Sequence, residues 1–326
     1  MPFDLFAPEV PEERLHPQFR APRGSPFHGE TRALMNALYQ RMGTPTKNFI
    51  RNFQADGFHS HLFEIACFAY LESAGLNPVR THASPDFMAS RDGIDLAIEA
   101  TTANPPGSQA ADISVFQMKE LSEPEIVDKE NVEFPRRIIS ILKKKLENQY
   151  DRLPQCVGIP IILMVAPSFE PGSVFYPDEA LVDCIYGVNE TTTGFFSFPN
   201  AESISAVMYC NAFTVPRFFR LATPLDDAAK MAAIREGLYY AVHSDGELSI
   251  REFQYRVGSP SSPKETWSEG VTLFLNPNAL IPVPQKLLPS TSTFSVQDGY
   301  LIREVHGFHP LTSLMRFYPT NESAVS

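Results

Sequence analysis

The segment "SPDFMASRDGIDLAIEATT", residues 84–102, carries two carboxylates, Asp86 and Glu99, on either side of an Asp92-Gly93 pair. Asp-Gly between alternating apolar residues is a strong short-range hairpin signal. If these two residues form the turn, Arg91 faces Ile94 and cross-strand partners have residue numbers summing to 185, as 86 and 99 do. The two carboxylates then become direct neighbours on one face, with Cβ atoms roughly 5 Å apart. Phe87, Ala89, Leu96 and Ile98 share the opposite, buried face. Like charges directly opposite each other destabilise a hairpin. They are tolerated where a cation neutralises the pair or where one group keeps its proton. Hard oxygen ligands of this kind suit Mg2+ or Mn2+. A one-residue slip of register removes the juxtaposition and leaves two solvated charges.

Glu64 adds a third acid. It sits within "HLFEIACFAY", in a segment (residues 56–76) whose apolar residues cover nearly the whole helical circumference. A helix apolar all round is a buried one. A carboxylate inside it is costly unless paired, hydrogen-bonded or metal-bound. Glu64, Asp86 and Glu99 are therefore expected to form a three-carboxylate cluster.

The elements that must position these groups follow from periodicity. Residues 1–30 are Pro-rich and read as an irregular arm, and 29–43 as a helix stopped by Gly43. After the hairpin, residues 103–134 are Pro- and acid-rich and read as a long loop. Residues 135–153 form an amphipathic helix with Pro at its start. "GIPIILMVAP" (158–167) is a strand buried on both faces. Residues 178–187 are a short helix ended by Gly187, and 202–211 another strand. The sum is an α/β protein with a mixed central sheet flanked by helices. It divides into an N-terminal arm and helix (1–52), a core (53–215) and an irregular C-terminal extension (216–326). That extension shows a helix near 228–240 and a hairpin at Asp298-Gly299.

The order of a helix bearing Glu64, then "PDF", a turn and "IEA", then a helix and a buried strand resembles the PD-(D/E)XK, restriction-endonuclease-like nucleases over residues 53–215. The resemblance implies a carboxylate-bound Mg2+ or Mn2+ that activates water to hydrolyse a phosphodiester, with DNA as the substrate. Position by position, Glu64 is similar to the acid of the core helix, Asp86 to the Asp of "PD", and Glu99 to the acid of "(D/E)XK". The family's lysine falls at Thr101, which is neutral. Loss of one such electrostatic contact costs ~3 kcal/mol, about a hundredfold in rate.

Some members of that superfamily take the lysine from a neighbouring element, and the following helix carries Lys143, Lys144 and Lys145. At about 100° per residue its apolar face centres on Leu142, Leu146 and Leu153. Lys144 points away. Lys145 flanks the face, four residues before Gln149 within it, and is the candidate replacement, with Gln149 beside it. Gln149 and Tyr150 also resemble a Gln–Tyr helix motif of some of these nucleases. The other reading of the three lysines is a solvated face.

Bulk properties narrow the classes. The chain has 326 residues, 43% hydrophobic, with 25 Phe, enough for a packed interior. The four cysteines are scattered without a CxxC, against a zinc cluster or disulfide framework and for a reducing, cytoplasmic setting. The start of the chain has no basic-then-apolar signal pattern, and the longest apolar run (159–167) is too short to span a bilayer. A formal charge of −11 does not advertise nucleic-acid binding. Between residues 14 and 51, however, seven basic residues stand against Glu30 alone, a net of +6 that either contacts phosphates or is ordinary solvated surface.

His59 and His61 lie two apart on different helix faces, and "HGFHP" (306–310) lacks a third ligand, so neither reads as a metal site. No phosphate-cradling glycine loop and no GxSxG occurs. Two functions follow. One is a metal-dependent DNA hydrolase using Glu64, Asp86, Glu99, Lys145 and Gln149. The alternative is a nuclease-like fold without catalysis that serves as a nucleic-acid-binding or protein-interaction scaffold, the reading that the acidic net charge and Thr101 both favour. A homodimer or a partner protein stays open in either.

Overall fold

Asp92 and Gly93 both take positive φ (55° and 79°), the two left-handed positions that a type I′ hairpin turn demands. The computed structural model, which describes residues 3–43, 46–104, 122–189, 191–227, 232–243, 246–284 and 286–318, is organised around that hairpin. Strands β2 (Phe87–Arg91) and β3 (Ile94–Ala103) pair antiparallel, with Phe87 opposite Ile98 and Arg91 opposite Ile94. This is the register read from the turn.

The short strand β1 (Asn77–Val79) covers the outer edge of β2. On the other side, β4 (Ile161–Pro167) and β5 (Ala206–Tyr209) run parallel to β3. Beyond β5 come β8 (Thr272–Leu275), β9 (Ser292–Gln297) and β10 (Tyr300–Val305), giving a mixed eight-stranded sheet in the order β1-β2-β3-β4-β5-β8-β9-β10. All seven residues of β4 are buried, as a strand covered on both faces requires.

Two apolar layers cover the sheet. On one face Phe87, Leu96, Ile98, Ile162, Met164 and Met208 pack with α4 (Phe58–Ser73), α2 (Gly29–Arg41) and α3 (Lys47–Gln54). Ten of the sixteen residues of α4 are buried, so this helix runs through the interior rather than over the surface. On the other face Ala97, Leu163, Val165 and Val207 meet Ile138, Leu142 and Leu146 of α6 (Phe134–Leu146). Burying each such side chain stabilises by ~1.5–3 kcal/mol, and together the three fix the rotation of α6 about its axis. With Leu142 and Leu146 inward, Lys145 sits on the flank of the seam.

Several expected elements are different. The N-terminal arm contains α1 (Pro17–Gly24), started by Pro17 with the His16 ring accepting from the Gln18 N–H. Residues 105–121 of the expected loop lie outside the described residues, but 123–133 are helical. They comprise α5 (Glu123–Asp128), begun by a Ser122/Glu125 capping box, and one wide π turn. The helix expected over 135–153 ends at Leu146, and the one expected over 178–187 is a 3-10 turn followed by α7 (Val182–Tyr186), ended by a left-handed Gly187.

The C-terminal part is not irregular. It holds α8 (Val215–Ala222), the last three strands of the central sheet, and a second sheet in the order β11-β6-β7. Those strands are β6 (Ala233–Val242), β7 (Leu248–Arg256) and β11 (His309–Phe317). The helix expected near 228–240 is thus strand β6 over its described part. Ile234, Tyr239, Tyr240 and Val242 favour a strand, and at Gly237 the backbone of Thr312 approaches too closely for any Cβ. The hairpin at Asp298-Gly299 forms as expected, with φ of 51° and 80°.

Candidate active site

The hairpin register brings Asp86 and Glu99 to the same end of the β2–β3 ladder, one residue beyond the Phe87–Ile98 pair. Asp86 Oδ2 accepts the Ala100 N–H at 2.8 Å, which ties the residue before β2 to the neighbouring strand. Glu99 is buried and faces the α6 layer, on the side of Ala97. Burial first, then the charges of Glu99 and Glu64, push the Asp86 carboxyl up to about 7, against the opposing pull of the Ala100 N–H and Arg80. Two acids that cannot both ionise freely is the outcome the sequence spacing implied.

Lys145 reaches this pair from α6. Its Nζ lies 2.5 Å from Glu99 Oε1, and its side chain is 24% exposed, so the ammonium is held at the rim rather than sealed inside. Lys144 is exposed, and Lys143 lies over the Phe198 ring at 4.2 Å. Of the three lysines only Lys145 joins the carboxylates. Thr101 lies two residues beyond Glu99 on β3, in register with Val165.

Gln149 lies beyond the end of α6 rather than on it. The helix closes with Asn148 and Gln149 donating their N–H groups to the carbonyls of Lys145 and Leu146, and Gln149 then turns left-handed at φ 49°. The next residue, Tyr150, is buried near Glu99, its hydroxyl accepting from Asn148 Nδ2 at 2.8 Å. Burial and the Glu99 charge raise the phenol far above its ordinary range, so it stays neutral.

Glu64 approaches Asp86 closely enough to raise its pKa, but its own oxygens are turned elsewhere. Oε1 meets His61 Nδ1 at 3.1 Å and Oε2 meets Arg80 Nη2 at 2.9 Å. Burial alone would raise the Glu64 carboxyl; His61 and Arg80 more than offset it and hold the acid below its ordinary range. Among the described residues no group of three or more His, Cys, Asp or Glu side chains is gathered as a metal site. The expected triple cluster is therefore a pair, Asp86 with Glu99, and a third acid clamped by cations beside it.

The pair still fits a hard divalent ion. Mg2+ commonly uses one or two protein carboxylates and fills its octahedron with water and substrate oxygens. An acid raised to about 7 by burial and by its neighbour is a group that a cation would relieve.

Sequence reasoning missed Arg80 and His61. His61 had a usable signal, since His61 and Glu64 stand three apart and share a helix face. Arg80 had none, because the turn after β1 brings it there. Of the histidines set aside, His309 is buried against Thr291 Oγ1 at 2.8 Å and near Asp178, a core histidine, while His306 is exposed. All four cysteines are free. No helix among the described residues is long and apolar enough to cross a membrane.

No protein-family model, no curated protein and no solved structure matches the chain.

Proposed function

We propose that this chain has a restriction-endonuclease-like core and is a metal-dependent phosphodiester hydrolase acting on DNA. The observation that carries the reading is Lys145 Nζ at 2.5 Å from Glu99, an ammonium brought from a neighbouring helix to the pair whose own strand offers Thr101. Asp86 and Glu99 would hold Mg2+ or Mn2+. When bound, the ion supplies a lowered water pKa and positive charge at the phosphate.

The chain's own groups do the rest. Asp86, whose carboxyl is raised to about 7 without the ion, would give up its proton on taking it. Lys145 would donate to a phosphate oxygen as charge develops there. Asn148 holds the hydroxyl of Tyr150, whose ring lies near Glu99. Glu64 keeps Arg80 in place at the edge of the site.

The second reading, a non-catalytic scaffold, draws on one observation: protein cations already neutralise Glu64 and Glu99. A single experiment separates the two. Supercoiled plasmid is incubated with Mg2+ or Mn2+ and with wild type, Asp86→Ala, Glu99→Ala and Lys145→Ala. Cleavage lost in all three variants supports the hydrolase. Equal cleavage by all four proteins removes the assigned site, and no cleavage with no Mg2+-dependent thermal shift supports the scaffold.

A further inference from the structure

The eight-stranded sheet ends on β10, and among the described residues no strand pairs with its outer side. Which groups face outward follows from the turn before it. Asp298 and Gly299 take φ of 51° and 80°, joining β9 to β10 by a two-residue turn with Gln297 opposite Tyr300. The pair flanking such a turn is hydrogen-bonded, and bonded and open pairs then alternate along the ladder. Tyr300, Ile302 and Glu304 therefore bond to β9. His306 continues that series, donating its N–H to the Thr291 carbonyl at 2.9 Å. Leu301, Arg303 and Val305 are left with their N–H and C=O groups directed away from the sheet.

Sheet edges are usually blunted, and the other edges here are. β1 is three residues long and contains Pro78. β11 carries Pro310 and a register shift between Pro310 and Thr312. β7 exposes Arg251, Glu252 and Arg256. β10 instead keeps six residues in unbroken register, with neither proline nor lysine. The Arg303 guanidinium is turned inward onto Asp178 and Glu179. Tyr300 is 73% exposed and Ile302 36%, two apolar side chains on the same face of the open edge.

An edge that pairs with its own copy in one continuous sheet does so antiparallel, about a two-fold axis normal to the sheet. Centring that axis on Arg303 or Glu304 sets the residue against itself, like charge on like charge. Centring it on Leu301 drives the pairing into the turn, with Asp298 opposite Glu304. Centred on Ile302, the axis sets Ile302 against Ile302 of the second copy, Tyr300 against Glu304, and Leu301 against Arg303. No like charges then face each other, and the Tyr300 hydroxyl has a carboxylate to donate to. The outward groups of Leu301 and Arg303 form two backbone hydrogen bonds in each of two symmetric pairs, four in all.

We propose that two copies of this chain associate edge to edge through β10 in that register, joining their eight-stranded sheets into one. Five residues from each edge make a small interface, so the dimer is reversible, with a Kd on the order of micromolar.

Sedimentation velocity of the full chain from about 1 to 200 µM should show monomer giving way to dimer. Ile302→Lys puts two ammonium groups on the axis and should raise Kd at least about tenfold. Its thermal transition should stay that of dilute wild type, because Ile302 lies at the exposed edge. A cross-link tests the register without relying on that variant. Ile302→Cys brings two thiols together at an open pair, with Cα atoms about 4.5 Å apart, a span that a disulfide bridges. Glu304→Cys leaves them four positions apart, roughly 13 Å along the strands. Under copper–phenanthroline oxidation Ile302→Cys should form a covalent dimer, while Glu304→Cys and wild type should not. A wild type that stays monomeric at the highest concentration leaves the edge to a different chain and overturns the proposal. So does a dimer indifferent to Ile302→Lys, or equal cross-linking of the two cysteine variants.

Discussion

Lys145 and Glu99 are 46 residues apart in the chain, and their side chains meet at 2.5 Å between helix α6 and strand β3. The contact couples charge to chemistry, because Glu99 is also the neighbour that raises Asp86. Lys145→Met should lower cleavage about a hundredfold, the usual cost of one lost electrostatic donor. It should also destabilise by ~1–3 kcal/mol at pH 8 by leaving a buried carboxylate unpaired. At pH 5 that cost should shrink, because Asp86 then carries its proton and no longer repels Glu99. Denaturant unfolding at the two pH values checks the second claim, and a cost independent of pH contradicts it.

Asp86, raised from 3.8 to about 7, binds its proton more tightly in the folded chain than in the unfolded one. Its favourable contribution is complete below about pH 4 and is lost as pH rises through 7. Asp86→Asn keeps an acceptor for the Ala100 N–H and removes the second negative charge. The variant should therefore gain stability relative to wild type between pH 5 and 8. Binding of Mg2+ to wild type near neutral pH should release a proton. Parallel stability curves for the two proteins would remove the raised pKa from the account.

Glu64 has the opposite sign. Held below 4.5 by His61 and Arg80 despite burial, it contributes stability above that value, lost as pH falls through its folded pKa. Glu64→Gln should cost ~1–3 kcal/mol at pH 7 by loosening Arg80 and His61. The difference from wild type should vanish in acid. Urea unfolding from pH 7 down to pH 3 measures it, and a constant difference would mean that Glu64 acts by packing alone.

The residues differ in how far they could be read in advance. The hairpin was legible because Asp92-Gly93 fixes turn type, turn type fixes register, and register pairs Asp86 with Glu99. Lys145 was legible because Leu142 and Leu146 set the rotation of α6. The end of α6 before Gln149 was not legible because nothing in "LENQYDRL" carries the Gly that commonly ends a helix, and the chain uses a left-handed Gln instead. The role of Arg80 depends on where β1 leaves the sheet edge, a tertiary fact with no local pattern. The C-terminal strands were harder still, since β8 and β9 join the sheet through contacts far apart in the chain.

Those last contacts give a further prediction, about where the chain can be cut. A boundary at residue 215 passes between β5 and β8, which pair antiparallel through all four residues of β5. The missing part supplies Val271, Leu273, Leu287 and Leu288 to one apolar layer and Phe274 and Phe294 to the other. It also supplies the Pro289 carbonyl that accepts from the buried Tyr70 hydroxyl, and Asn276, which donates to the Ala201 and Ile204 carbonyls. Each lost aliphatic or aromatic side chain removes ~1.5–3 kcal/mol of burial, and β5 is left as a bare edge. Six such side chains, ~9–18 kcal/mol together, are as large as the ~5–15 kcal/mol by which a domain is stable. A fragment of residues 1–215 should therefore lack a cooperative thermal transition, bind a hydrophobic dye and be digested rapidly by protease. A sharp transition at the full-length Tm would show instead that the carboxylate site stands on residues 1–215 alone.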